Sequence, residues 1–519
     1  MTLEFEVRDR DLLGRIGKLY ARSGNIETPA FLPVINPSKL TITPKEMWED
    51  FDCKILITNA YLIKKYFSRE ATDLGIHAFL DFPGIVVTDS GAYQILSYGK
   101  VDVTPEEIIR FQEKIGSDIA TILDLPTGWR VSRDYAQFTV DETVRRAEKF
   151  FELKSRGDIG WIGPIQGGRY LDVLAMSASK MGKFDFDVYA LGSPTPVMEQ
   201  YLFSLLTDMI VTAKMNLPIN RPFHLFGAGH PFMFGIAVAL GCDLFDSAAY
   251  SLFAYERRYL TDRGTVRLDR LEYLPCSCPI CVKRSARELN EMPDKECEKD
   301  LAKHNLYICF SEIKRIKQAI VEGRLWEYVE MRAHGHPSLL DALKNLKRYE
   351  RYIEKYSPVS KRSGFFFFSS VGLSRPEVSR YHLRLMERFA PNCDSKFLFL
   401  VPRDLIRKGR SEIAKVISSV CERLRLSIDE IQLCIYFPPF GVIPMELTET
   451  YPAGQTESIS QPDRETIEYM IFQVIEFARH AKIGRVIMLA KKGTWQDKVA
   501  QSFGQSCTNE DFSFKPIYI

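Results

Sequence analysis

The sequence predicts an α/β fold built on a (β/α)8 TIM barrel, and two observations lead to that prediction. Between residues 30 and 250, eight short apolar runs alternate with longer stretches whose apolar residues recur every three to four positions. Most runs are continuously apolar, which is typical of parallel strands that are buried on both faces. Eight strands that are each followed by a helical connection form such a barrel. A doubly wound open sheet is the alternative, although no glycine-rich phosphate fingerprint follows the first run.

The predicted strands are spaced so that a helix fits between most neighbours. PEEIIRFQEKIG, which follows the third run, has the apolar spacing of such a helix. The eight runs are FLPVI (31–35), KILITNA (54–60), GIVVTDSG (84–91), IATILDLP (119–126), GWIGPIQGG (160–168), DVYALGS (187–193), PFHLFGAG (222–229) and CDLFDSAAY (242–250).

Composition excludes several classes of protein. The chain has 519 residues, 45% of them apolar, and its 69 Lys and Arg nearly balance 67 Asp and Glu. No apolar run is long enough to cross a bilayer, and the N-terminus lacks the apolar core of a signal peptide. The chain has eleven cysteines, an odd number, and the eight outside one tight cluster are widely spaced, which argues against a disulfide framework. We therefore expect a cytoplasmic protein without a membrane partner.

Polar residues end most of the predicted strands. In a barrel the carboxyl ends of all strands converge on one face, where the connecting loops build the active site. Asp or Ser in such a position can simply cap the next helix, but a repeated pattern predicts a catalytic rim. The strand-end residues are Asp89, Ser90, Asp124, Gln166, Gly192, Gly227 to His230, and Asp246.

The rim residues indicate chemistry on a glycosidic bond. A carboxylate pair such as Asp89 and Asp246 can attack an anomeric carbon and move the proton of the leaving group. Asp124 and Gln166 offer donors and acceptors that suit the edge of a purine-like base. Tyr93 and Phe226 supply aromatic faces for stacking, and backbone N–H groups at rim glycines such as Gly192 permit close approach of a flat ligand.

Three cysteines at C-x-C-x2-C spacing, Cys276, Cys278 and Cys281, predict a metal site, because their thiolates can reach one tetrahedral ion. Spacing alone does not decide the fourth ligand, for which His304, Cys297 and Cys309 are the candidates. Basic runs between residues 283 and 362 are typical of solvated helix faces, but their clustering also favours a phosphate-binding surface.

Several motifs, in the same order along the chain, resemble those of the tRNA-guanine transglycosylases. Their amino-acid sequences are most similar to those of the archaeal branch. The resemblance covers roughly residues 5–340 closely and the remainder more loosely. The motifs are TDSGAYQ (88–94), LDLPTG (123–128), IQGGRY (165–170), ALGSPTP (190–196), HLFGAGHP (224–231), GCDLFDSAAY (241–250), CSCPIC (276–281) and HNLY (304–307).

The resemblance implies a role for each site residue. Asp246 is the expected nucleophile and Asp89 the general acid and base. The implied zinc ligands are Cys276, Cys278, Cys281 and His304, a complete set of four that makes the Zn2+ structural. The implied base-binding residues are Ser90, Tyr93, Asp124, Gln166, Gly192 and Phe226.

The resemblance also implies the reaction and the partners. The expected reaction replaces guanine 15 in the D-arm of tRNA by free 7-cyano-7-deazaguanine (preQ0), for archaeosine biosynthesis, without a nucleotide cofactor. A homodimer that makes contact through the zinc region is expected. Two alternatives remain: an inactive or tailoring tRNA-binding paralogue, and a metal-dependent barrel hydrolase that uses His224 and His230.

The chain is expected to contain three domains. The barrel spans residues 1–345 with a zinc-binding insertion at about 270–315, and accessory α+β domains span 346–430 and 431–519. We expect no PUA domain, the RNA-binding module common in the archaeal branch, within this sequence. A separate PUA-domain protein is then a candidate partner.

Overall fold

The structure, a computed structural model, describes residues 3–94, 102–391, 395–406 and 410–519. The chain forms two compact units, Met1–Tyr349 and Glu350–Ile519. None of the helices described is both long enough and apolar enough to cross a membrane.

A small antiparallel sheet precedes the barrel. The sequence patterns did not predict this sheet. Its strands are β1 (Glu4–Asp11), β2 (Gly14–Ala21) and β3 (Gly24–Thr28). Leu3, Leu19 and Ile26 pack into the same apolar cluster as the inward-facing barrel residues. The sheet therefore closes one end of the barrel interior.

Eight parallel strands form the predicted closed barrel. Their order around the barrel follows the chain, and the last strand pairs back onto the first. The closed sheet rules out the open-sheet alternative. The strands are β4 (Ala30–Ile35), β5 (Ile55–Asn59), β6 (Ile85–Asp89), β7 (Ile119–Thr121), β8 (Gly160–Ile165), β9 (Val188–Leu191), β10 (Phe223–Leu225) and β11 (Leu244–Ser247).

Helices connect the barrel strands. Two begin at a Thr-Pro-x-Glu capping box, in which the side chain of Thr43 or Thr104 accepts a backbone hydrogen bond and the glutamate three residues on completes the cap. The helices are Pro44–Phe51, Ala60–Leu74, Ile76–Leu80, Pro105–Ile115, Arg133–Leu153, Leu171–Met181, Thr195–Glu199, Phe203–Met215, Phe234–Ala239 and Ala249–Tyr255.

The segment that carries the cysteine cluster follows the barrel. A hairpin of β12 (Arg258–Leu260) and β13 (Thr265–Arg267) precedes the cysteines, and the chain then continues into further helices. These helices are Ala286–Glu291, Asp294–Glu322, Leu325–Ala333 and Pro337–Asn345.

The second unit is a mainly parallel sheet with helices between its strands. The sheet order is β17 (Ile443–Pro444), β16 (Ile431–Tyr436), β15 (Phe397–Pro402), β19 (Arg485–Ala490) and β20 (Ser513–Tyr518). A short parallel pair joins β14 (Phe365–Phe367) to β18 (Thr456–Ser458). The helices are Glu350–Tyr356, Pro376–Arg388, Arg403–Ile406, Arg410–Leu424, Arg464–His480 and Trp495–Ser506.

This sheet differs from the predicted division into accessory domains 346–430 and 431–519. Strand β15 pairs with β16 on one side and with β19 on the other. The predicted boundary therefore runs between two neighbouring strands of one sheet within one compact unit. The pairing joins residues far apart in the chain, which composition along the sequence does not reveal.

Candidate active site and metal centre

Asp89, Asp124 and Asp246 lie where β6, β7 and β11 approach their carboxyl ends. Asp89 is the last residue of β6, Asp246 lies within β11, and Asp124 follows shortly after β7. The charges of Asp124 and Asp246 both act on Asp89. The structure therefore brings together the three carboxylates that the strand-end pattern predicted to share a rim.

The carboxylate of Asp89 is held by a side chain from the neighbouring strand. Asn59, the last residue of β5, caps the helix Ala60–Leu74 with its side-chain oxygen, which accepts from Leu62 N. Because that cap fixes the amide, Asn59 Nδ2 donates to Asp89 Oδ2 at 2.9 Å. Burial, reinforced by Asp124 and Asp246, raises the pKa of Asp89 to about 7. Asp89 can therefore carry a proton near neutral pH and also release it.

Asp246 is oriented by the loop that follows β10. Gly227 N donates to Asp246 Oδ1 at 3.0 Å, and Gly227 has a φ of +67°, a conformation that glycine adopts without strain. His224 is fully buried, and its Nε2 lies 2.9 Å from the same oxygen, although not in hydrogen-bond geometry. Asp246 Oδ2 carries no hydrogen bond within the described residues, so this oxygen is available to react.

Asp124 and Gln166 form a buried pair. Gln166 Nε2 donates to Asp124 Oδ2, while Gln166 Oε1 accepts from Thr127 N at 2.8 Å and from Ser193 Oγ at 3.2 Å. These contacts fix the orientation of the amide. Burial raises the pKa of Asp124 to about 6, against the opposing hydrogen bond from Gln166. The pair offers an ionised acceptor beside a fixed amide at neutral pH.

Gly192 lies against this pair, and only glycine fits there. A Cβ at position 192 would lie 2.2 Å from Gln166 Nε2, well inside van der Waals contact. The strand end after β9 can therefore approach Gln166 closely only because residue 192 has no side chain. An alanine there would displace the amide.

The remaining predicted base-binding residues have surroundings suited to a ligand. The side chain of Tyr93 is 55% exposed, and Phe226 packs edge-to-face on His224 with ring centroids 4.7 Å apart. Ser90 is buried, and its hydroxyl has no hydrogen-bond partner in the described part of the chain. That the two rings sandwich a base stays a prediction.

Sequence reasoning missed the roles of Asn59 and His224. Asn59 is the last residue of β5 just as Asp89 is the last residue of β6, so the strand-end pattern could have identified it. His224 was considered only as a metal ligand. Its partner in that alternative, His230, packs its ring 4.2 Å from Phe232, and burial lowers the pKa of His230 to about 3. Neither histidine belongs to a metal-ligand cluster among the described residues, which weakens the hydrolase alternative.

The three cysteines and His304 do converge. One sulfur or nitrogen atom from each of Cys276, Cys278, Cys281 and His304 lies within 4.8 Å of the others. His304 Nδ1 lies 3.5 Å from Cys278 Sγ and 3.3 Å from Cys281 Sγ. Tetrahedral zinc with bonds of about 2.0–2.3 Å requires ligand atoms roughly 3.3–3.8 Å apart, and both distances from His304 Nδ1 lie in that range.

The surroundings of His304 fix its ligand atom. His304 Nε2 contacts Leu260 O at 2.8 Å, and Tyr259 stacks on the imidazole with centroids 3.7 Å apart. Because Nε2 is engaged by a carbonyl, Nδ1 is the nitrogen that faces the thiols. The amphipathic run that starts with HNLY predicts a helix that begins at His304, and this predicted start is wrong. His304 lies almost three turns inside the helix Asp294–Glu322, whose start follows Pro293.

A buried asparagine connects the cysteine–histidine cluster to the barrel. Asn305 Oδ1 accepts from Leu260 N at 2.8 Å, and Asn305 Nδ2 donates to Tyr250 O at 3.1 Å and Arg258 O at 3.2 Å. Tyr250 lies in the helix that directly follows β11. The residue next to His304 thus secures the chain that leaves the strand carrying Asp246.

A closed parallel barrel that gathers three acidic side chains at its strand ends is the architecture of a barrel enzyme with acid–base chemistry. The family described as queuine tRNA-ribosyltransferase (TGT) matches residues 10–338. The chain belongs to this family, as its motifs predicted.

Curated relatives extend the match into the second unit. The protein of Methanocaldococcus jannaschii is 42% identical over 471 residues, which is 88% of this chain and 68% of the relative. The protein of Pyrococcus furiosus is 42% identical over 483 residues, 92% of this chain and 75% of the relative. That of Thermococcus onnurineus is 40% identical over 484 residues. Each is named tRNA-guanine(15) transglycosylase.

Proposed function

We propose that this protein is a tRNA-guanine(15) transglycosylase, which exchanges guanine 15 of a tRNA for a free base. The observation that carries the proposal is that Asp89, with a pKa of about 7, lies within electrostatic reach of Asp246 at the barrel rim. The names of the archaeal relatives support position 15. The ALGSPTP motif has the sequence typical of the archaeal branch, which supports preQ0 as the incoming base, in archaeosine biosynthesis.

In the proposed first step, Asp246 Oδ2 attacks C1′ of the ribose while the bond from C1′ to N9 of guanine breaks. The electron pair of that bond passes to the departing base, and Asp89 supplies its proton. Gly227 N donates to the other oxygen of Asp246, and His224 lies against that oxygen, so the attacking oxygen keeps its orientation.

In the second step, Asp89 removes the proton of the incoming base, whose N9 attacks C1′ and displaces Asp246. The phosphodiester chain stays intact, and no nucleotide cofactor is required because the covalent ester retains an activated C1′. Asp124, Gln166, Ser90 and the backbone at Gly192 are proposed to bind the edge of the base, between Tyr93 and Phe226.

We further propose that the Cys3His cluster holds one structural zinc ion. Four protein ligands leave the ion no open position for substrate, so it supplies stability and not chemistry. A homodimer through this region is supported by the exposed side chains of Tyr273 and Val282, which flank the cysteine segment. A cytoplasmic location and a separate PUA-domain protein as partner remain predictions.

A base-exchange assay tests the proposed function. We expect the protein to incorporate radiolabelled guanine into an unmodified tRNA transcript, and preQ0 to compete with guanine more effectively than its aminomethyl analogue does. A transcript with adenine at position 15 is the matched control and should stay unlabelled. Tight tRNA binding without incorporation would instead identify the inactive paralogue, and equal labelling of the control transcript would contradict position 15.

The raised pKa values predict the pH dependence of kcat/KM for tRNA. Because Asp89 must carry a proton to release guanine, kcat/KM should fall about tenfold per pH unit above about pH 7. Because Asp124 accepts hydrogen bonds as a carboxylate, kcat/KM should also fall below about pH 6. Initial rates from pH 5 to 9 measure both limbs. Asp124→Asn should remove the acid limb and move the alkaline limb to lower pH, because the charge of Asp124 no longer raises the pKa of Asp89. A flat profile of the wild type from pH 7 to 9 would exclude Asp89 as the proton donor.

A further inference from the structure

The second unit contains a cavity of about 260 Å³ that the proposed exchange does not use. One wall is the helix Pro376–Arg388, and the other is the segment 447–452. Its inner surface is largely apolar and aromatic, with Leu385, Phe389 and Leu447 among the lining residues. Tyr381 also lines it, and its ring is held in place because its hydroxyl donates to Val442 O at 2.8 Å.

Three arginines of one helix face line this cavity at intervals of four residues. Arg380 is fully engaged, since its guanidinium donates to Glu354 Oε1 at 2.6 Å and to the backbone carbonyls of residues 354, 357 and 358. Arg384 and Arg388 differ, because neither has a carboxylate within ion-pair distance in the described residues. These two arginines are free to bind an anion.

The one lining glutamate does not neutralise them. Glu377 is buried and lies 2.6 Å from Lys361 Nζ and 3.3 Å from the guanidinium of Arg375. Its charge is therefore already balanced, and the cavity keeps a positive rim. Like charges four residues apart on a helix repel one another, and an anion bound between Arg384 and Arg388 relieves that repulsion.

The size and lining of the cavity define the ligand. At about 260 Å³ the cavity is slightly smaller than the roughly 300–1,000 Å³ of pockets for drug-sized molecules, so it has room for at most one nucleotide and excludes a duplex. Arginines bind phosphate, and aromatic and apolar walls accommodate a base. We propose that the cavity binds one unpaired nucleotide of the RNA substrate, with its phosphate on Arg384 and Arg388. The choice of RNA rests on the proposed function, which brings tRNA to this protein.

Two kinds of variant of the full chain test the site. Arg384→Gln with Arg388→Gln removes the phosphate contacts, and Thr450→Trp fills the cavity from its exposed rim without a change of charge. The matched control is Arg464→Gln with Arg485→Gln, which removes two exposed arginines of the same unit outside the cavity.

Affinity for unmodified tRNA is measured between 50 and 200 mM salt. The double arginine variant should bind about tenfold more weakly, and its slope of log K against log salt should be about 0.7–0.9 shallower, since both arginines contact the same single phosphate. Thr450→Trp should weaken binding severalfold with an unchanged slope. The control pair should bind within threefold of wild type. Unchanged binding in both cavity variants, or an equal loss in the control pair, would overturn the proposal.

One further measurement distinguishes a nucleotide of the RNA from a free nucleotide. A second distinguishes failure of the cavity proposal from failure of the proposed function. Micromolar binding of AMP to wild type, with tRNA affinity unchanged in the cavity variants, would assign the cavity to a free nucleotide and overturn the RNA assignment. Guanine incorporation by wild type is measured with the same preparation. If wild type incorporates guanine while the cavity variants bind tRNA normally, only the cavity proposal fails; absent incorporation refutes the proposed function.

Discussion

Asp246→Asn is expected to lower the rate of guanine incorporation at least 10⁴-fold, which corresponds to about 5.5 kcal/mol of transition-state stabilisation. An amide is a far weaker nucleophile than a carboxylate, so C1′ cannot be attacked and no covalent intermediate forms. The fold should persist, because an amide oxygen can still accept the hydrogen bond from Gly227 N. Label incorporation gives the rate, and denaturing electrophoresis with tRNA shows the covalent adduct in wild type alone.

Measurements of tRNA affinity distinguish a loss of catalysis from a loss of tRNA binding. Asp246→Asn should bind tRNA within about threefold of wild type, because the phosphate backbone dominates affinity for nucleic acid. Asp341→Asn is the matched control, since Asp341 is exposed on the helix Pro337–Asn345. It should retain wild-type exchange. An Asp246→Asn protein that exchanges guanine within tenfold of wild type would exclude Asp246 as the nucleophile.

Cys278→Ala is expected to remove zinc and destabilise the first unit. The remaining three ligands cannot complete a tetrahedral site. Because metal binding is coupled to folding, several kcal/mol of stability are lost with the ion. At roughly 2–4 °C per kcal/mol, the melting temperature should fall by about 10 °C. Elemental analysis measures zinc per chain, calorimetry measures the melting temperature, and proteolysis reports exposure of residues 270–315.

Cys297→Ala provides the control for the loss of a thiol. Cys297 is buried in the same helix as His304 and was a rival ligand by spacing, but it lies outside the cluster. The Cys297→Ala protein should keep one zinc per chain. Two results would contradict the assignment: retention of zinc by Cys278→Ala, or chelation that abolishes exchange while the melting temperature stays unchanged. The second result would make the metal catalytic.

The barrel was predictable because its strands are buried on both faces. Such strands carry continuous apolar runs, and each of the eight predicted runs overlaps a barrel strand. β1–β3 were missed because the exposed face of that sheet keeps charged residues between its apolar ones, as in EFEVRDRD. In the second unit the apolar runs FLFLVP (397–402) and EIQLCIYFPPFGVIP (430–444) also predict strands, and each contains one. Their parallel pairing is a long-range property that no local pattern encodes.

By itself the sequence determined the barrel, the polar residues at its strand ends and the cysteine cluster, because each depends on residue type at short spacing. Only the tertiary structure decided how these groups act on one another. Asn59 reaches Asp89 across neighbouring strands, and His224 lies against Asp246 from the strand beside it. The pKa of Asp89 rises to about 7 because folding buries it beside two other carboxylates. Burial and charge proximity arise from contacts between distant segments, and such contacts exist only once the barrel has closed.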